Sequence, residues 1–157
     1  MKRRVLDYVN DIDLLTAMQQ RSFEINFPGE PFYERLFRDE LRRPGAAQVI
    51  YLYEDEDELL GWLWLDFGRQ PTCAHIRHIQ VAERHWGEGL GRAILEDALA
   101  LACERRCREI TLNVTKSNAR AMALYEGLGF RTRIDLGERQ FMALRLDAAD
   151  DERDLSD

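Results

Sequence analysis

The 157-residue chain is long enough to bury one sizeable core and too short for two. Its 45% hydrophobic and 32% charged content is that of an ordinary soluble globular protein, and a formal charge of −7 without a dense basic stripe argues against nucleic acid as a partner. No apolar run approaches the roughly 18 residues of a membrane span and no charged-then-apolar leader opens the chain, so no membrane association is expected.

Residues Arg3–Tyr8 alternate enough for a first strand. Asn10 or Asp11 can cap a helix carrying Ile12, Leu14, Leu15 and Met18. The stretch Phe23–Tyr33 reads as an aromatic-rich break. Pro31 suits the first turn of a second helix running through Arg43, which Pro44-Gly45 stops. Gln48–Tyr53 is strand-like, Asp55–Glu58 makes an acidic turn and Leu59–Phe67 returns as the second arm of a hairpin. Asp66–Thr72 is a loop before a strand from Cys73. Leu90, Ile94, Leu95, Ala98 and Leu101 follow a 3.6-residue period, so a helix is expected to end near Arg106. Glu109–Asn113 is a short strand, parallel to the one before the helix by right-handed crossover. Ser117 or Asn118 can cap Ala119–Glu126, which Gly127 closes. Two strands remain, one opening at Gly129 and reaching Asp135, the other Arg139–Leu146. About seven strands and four helices in mixed order predict an α/β layered domain over residues 1–146.

The tail holds Asp147, Asp150, Asp151, Glu152, Asp154 and Asp157 against Arg153, so most of the net charge sits there. Too polar to bury apolar surface, residues 147–157 are expected to be a disordered tail. Cys73, Cys103 and Cys107 are odd in number and lack metal-ligand spacing with His75, His78 or His85. Cys103 and Cys107 would share one helix face as packing residues. These features read as a reduced, cytoplasmic protein without a metal.

Chemistry concentrates between Cys73 and Arg92, where a strand runs into Trp86-Gly87-Glu88-Gly89-Leu90-Gly91-Arg92. Alternating glycines permit turn conformations and remove the Cβ atoms that would hold a ligand off. Their N–H groups then converge at a helix N-terminus, a ready anion site. A dinucleotide fingerprint fails on spacing, since the third glycine would fall at Arg92 or Ile94. A P-loop fails because Arg92-Ala93 follows Gly91. A phosphate-bearing cofactor and a plain glycine-rich turn both remain open at this level.

Taken together, Ile79-Gln80-Val81, Trp86–Leu95 and the block from Asn118 through Ala121 and Tyr125 to Gly129-Phe130 resemble the GCN5-related N-acetyltransferase (GNAT) superfamily. In motif they come closest to the branch that acetylates ribosomal proteins and N-terminal amines. The resemblance implies a central mixed, mostly antiparallel sheet with one splayed parallel pair, and an acetyl-CoA site. It assigns the pantetheine arm to Ile79, Gln80 and Val81. The diphosphate falls to Trp86, Gly87, Glu88, Gly89, Leu90, Gly91 and Arg92, with Asn118 and Ala121 beside the cofactor. It further implies direct attack of a primary amine (a peptide N-terminus, lysine or small molecule) on the thioester, with a backbone N–H near Ile79 as donor to the carbonyl. Tyr125 matches the tyrosine that protonates the departing sulfur; a phenol with pKa about 10 carries its proton at neutral pH.

Asn113 stands where that branch often has a glutamate, and Trp86 where many members have Arg or Gln. His75, four residues before Ile79, matches the position of a base in other members, and its pKa of about 6.5 suits that work. His78, Glu24 and Asp66 are weaker candidates for the base. Glu24, Glu30 and Asp66 could face a cationic amine. Family members often dimerise through their C-terminal strands, which makes a homodimer an expectation. The alternative function is a non-catalytic acyl-CoA sensor on the same fold.

Overall fold

The computed structural model describes residues 1–146; the acidic tail lies outside them. In chain order the elements are β1 (Lys2–Val5), α1 (Tyr8–Asn26), α2 (Glu34–Arg42), β2 (Gln48–Asp55), β3 (Glu58–Asp66) and β4 (Cys73–Val81). A single 3-10 turn (Glu83–His85) leads to α3 (Leu90–Glu104), β5 (Glu109–Thr115), α4 (Ala119–Gly127), β6 (Arg131–Asp135) and β7 (Arg139–Arg145). The strands form one seven-stranded sheet in the order β1-β2-β3-β4-β5-β7-β6. Every pair is antiparallel except β4 with β5.

Helices cover both faces. Leu63, Leu65, Ile76, Ile110, Leu112 and Met142 pack with Ile94, Leu95 and Ala98 of α3 and with Tyr125 of α4. On the opposite face Ile50, Leu52, Trp62 and Trp64 pack with Ile12 and Leu15 of α1 and Leu41 of α2. β3 shows why the sequence folds this way: its alternate residues serve opposite cores, so the strand is apolar nearly throughout. Gly61 of β3 is dictated by packing. A Cβ there would lie 2.5 Å from the Gln80 carbonyl oxygen and 2.7 Å from Ile94 Cδ1, so the absence of a side chain lets α3 seat closely on the sheet.

Several boundaries depart from the sequence reading. α1 starts at Tyr8, and Asp11 lies within its first turn, accepting the Asp7 N–H at 2.7 Å and gripping Arg4 at 2.7 Å. The helix also continues past Phe23 to Asn26. Phe23 packs at a tilt against Phe27 and Phe32 (centroids at 5.0 and 5.3 Å), and the chain leaves the helix at Phe27, before Pro28. α2 begins at Glu34 rather than at Pro31. α3 ends at Glu104 and Arg106 turns with φ 59°, so exposed Cys103 and buried Cys107 do not share a helix face. β5 runs on to Thr115.

Candidate active site

The site is made where the sheet comes apart. β4 and β5 pair from Cys73↔Glu109 to Ile76↔Leu112 and no further, although both strands continue. The break coincides with an irregularity against β3: Trp64 pairs with His78 and Leu65 with Ile76, leaving Arg77 as an extra residue. Such a bulge bends the strand and sharpens its twist. Beyond it, Ala82 donates to the Leu60 carbonyl at 2.8 Å, which fixes the alternation of the β3–β4 ladder. By that alternation Gln80 and His78 bond to β3, while Ile79 and Val81 turn their N–H and C=O groups the other way, into the gap.

The gap leads into the glycine loop. Gly87 and Gly89 have φ of 84° and 81°, where an L side chain is strained, and a Cβ on either would enter open space. The backbone N–H groups from Gly87 to Arg92 have no acceptor among the described residues; the first loop-to-helix bond is Ala93 N–H to Gly89 at 3.2 Å. These donors sit at the positive end of α3. Trp86 closes the base of the gap, its indole donating to the Val81 carbonyl at 2.9 Å while the Arg120 guanidinium lies 5.0 Å from its ring.

The resulting cleft has a volume of about 460 Å³. Ile79, Gln80, Val81, Trp86, Gly87, Gly89, Leu90, Gly91, Arg92, Asn118, Ala121 and Tyr125 all line it. Glu88 does not. Asn118 caps α4, accepting the Ala121 N–H at 3.2 Å. Gln80 contributes backbone, since its side chain bonds to Trp62 and to the Met18 carbonyl on the other face. Tyr125 is 7% exposed, and its hydroxyl has no partner among the described residues. Burial pushes its pKa up to about 12.

His75 stands elsewhere. It is buried, with Nδ1 2.8 Å from Thr111 Oγ1 and its ring stacked near Phe141, and it does not line the cleft. Burial lowers its pKa to about 4. His78 lies on the Trp62 ring at 4.3 Å and is lowered likewise. Asp66 accepts the Gly68 N–H at 2.8 Å and organises the β3–β4 loop, while Glu24 pairs with Arg21 at 3.4 Å. Glu24 and Glu30 line a separate cavity of about 430 Å³ with Phe23, Phe27 and Phe32. Residues the sequence did not single out are Ser22, Ile25 and Asn26 of α1, with Arg120 and Leu124 of α4, all lining the cleft.

A strand edge beyond the reach of its β5 neighbour, a cradle of backbone donors and a buried phenol in one cleft fit a long ligand bearing amides at one end and phosphates at the other. The family model for the acetyltransferase (GNAT) family matches residues 12–130. Mycothiol acetyltransferase of Kocuria rhizophila is 33% identical over 81 residues, 49% of this chain, and the match spans only 27% of that protein's length. A putative ribosomal protein bS18 alanine N-acetyltransferase of Bacillus subtilis is 27% identical over 127 residues, covering 78% of this chain and 76% of that one. Among solved structures, the PaiA N-acetyltransferase of Thermoplasma acidophilum in complex with coenzyme A superposes with a TM-score of 0.77. It is 15% identical and covers 92% of this chain and 98% of that one.

Proposed function

The chain belongs to the acetyltransferase (GNAT) family, and on that premise we propose that it transfers an acetyl group from acetyl-CoA to a primary amine. The observation that carries this reading is the half-unmade β4–β5 ladder opening directly onto the Gly87–Arg92 donors. Bound there, acetyl-CoA supplies an acyl thioester activated towards amines.

The chain's own groups then divide the work. N–H groups of Gly87–Arg92 hold the anionic diphosphate against the helix dipole. The Ile79–Val81 edge binds the amide-bearing arm as an added strand. An N–H of that edge, at or near Ile79, donates to the carbonyl oxygen as charge develops on it. Tyr125 keeps its proton at Oη across the working pH range and delivers it to the departing sulfur.

The acceptor amine loses its proton to water. His85 is the imidazole on the cleft wall, and both its nitrogens are engaged by carboxylates. His75, neutral above about pH 4 and enclosed, has no titration to offer in the assay range. His75→Ala is therefore expected to leave the shape of the pH–rate profile above pH ~6 unchanged. It should cost about 2 kcal/mol of stability through the lost Thr111 bond and the cavity left behind. Its lowered pKa means that the unfolded chain binds the extra proton, so its contribution is complete above pH ~6.5 and fades as pH falls towards 4. Denaturant melts at several pH values and a rate profile check both halves; loss of the acidic limb, where a base is protonated and idle, would restore His75 as the base.

Cofactor recognition is tested by thermal shift with acetyl-CoA, CoA, NAD and ATP. At about 100 times Kd a ligand of the folded state adds about 2.7 kcal/mol, on the order of 5–10 °C in Tm. The expected result is such a rise with acetyl-CoA and CoA, and none with NAD. Release of free CoA thiol across a panel of peptide N-termini, lysine and small amines then identifies the acceptor.

A further inference from the structure

Glu88 puts a carboxylate into the very run of N–H groups that would hold an anion, and the structure turns it away: its neighbours on either side line the cleft and it does not. Glu88 Oε2 lies 2.8 Å from Nδ1 of His85, and Nε2 of the same ring lies 2.6 Å from Glu58 Oε1 at the start of β3. A neutral imidazole has one N–H, and ionised carboxylates only accept, so both contacts exist together only with the imidazolium.

We infer that His85 is a positioning residue for the anion loop: its imidazolium ties the Glu88 carboxylate back towards Glu58, so that an incoming diphosphate meets backbone donors rather than a loose negative charge. This rests on the diphosphate role proposed above for Gly87–Arg92. The charged groups about the ring are Glu58 from β3, Glu88 from the loop, and Arg84 on its own turn, which reaches Glu58 at 2.6 Å. Hydrogen bonds from the ring to the two glutamates raise its pKa above the ordinary histidine value. As pH rises through that value the ring keeps one N–H. Glu58 has Arg84 as a second donor and the shorter contact to the ring, so Glu88 is the carboxylate set free. The grip on the cofactor then weakens with rising pH.

Calorimetric titration of the full chain with CoA between about pH 5.5 and 9 tests this. Glu88→Gln serves as the reference, because it shares the ligand's own titration. Wild type should match Glu88→Gln at the acid end and bind about three- to tenfold more weakly at the alkaline end, the effect of one partly screened charge. His85→Ala should be weaker than Glu88→Gln by the same factor at every pH, and His85→Ala/Glu88→Gln should recover the lost affinity. A role for His85 in packing alone would not be repaired by neutralising its neighbour. If His85→Ala binds CoA as wild type does at low pH, or if the double variant stays weak, the assignment of His85 is overturned. Should wild type and Glu88→Gln both fail to bind CoA at every pH, the diphosphate reading of the loop falls, and the inference with it.

Discussion

Tyr125→Phe is expected to lower kcat by roughly 10²- to 10³-fold while leaving the Kd for acetyl-CoA within about twofold, the signature of losing a positioned proton donor. The ring would keep its packing against Phe130, whose centroid lies 5.8 Å away, so the fold has no reason to suffer. The hydroxyl makes no bond to the described residues, and removing it leaves no protein group unpaired. Because burial pushes the Tyr125 phenol up to about 12, the wild-type enzyme should show no alkaline decline from this group below pH ~10. Steady-state kinetics with isothermal titration of the cofactor decides the matter. A parallel loss of affinity and rate would make Tyr125 a wall of the cleft and not the acid.

Gly89→Val is expected to weaken acetyl-CoA binding by roughly ten- to a hundredfold with little change in kcat at saturation. Gly89 caps α3 at φ 81°, a conformation that costs an L residue about 1–2 kcal/mol and a β-branched one more. Relief of that strain would rotate the peptide N–H groups that open the helix out of convergence. Any side chain retained would project into the open space in which the proposed diphosphate would lie. Circular dichroism should show the helices intact, and binding titration the loss. Undiminished affinity would mean that the diphosphate is held elsewhere.

The glycine loop and the helix behind it were legible because their signals are local: glycine spacing at a turn, and a 3.6-residue period after it. Tyr125 could be placed only through the whole Asn118–Phe130 block, since an isolated tyrosine on an apolar helix face reads as core. The parting of β4 from β5 was expected from resemblance alone. The bulge that produces it falls at Arg77, with no glycine or proline to announce it. The same bulge explains why His75 is displaced. Strict alternation would put His75 on the face of Ile79 and Val81, but one extra residue sends Ala74 and Ile76 to that face and His75 to the other. The last turns of α1 were lost behind Phe23, whose aromatic neighbours suggested a break where tertiary packing sustains the helix. His85 and Glu58 are far apart in the chain, and only the hairpin brings them together.

The β4–β5 joint, four residue pairs long, is the one parallel seam among the described strands, with α3 laid across it. A ligand whose amides pair with the Ile79–Val81 edge, as proposed above, would lie in that gap as an eighth strand. On that proposal the rigidity of the domain would be coupled to ligand supply, the concentration of the ligand helping to determine how firmly the two halves of the sheet are stitched.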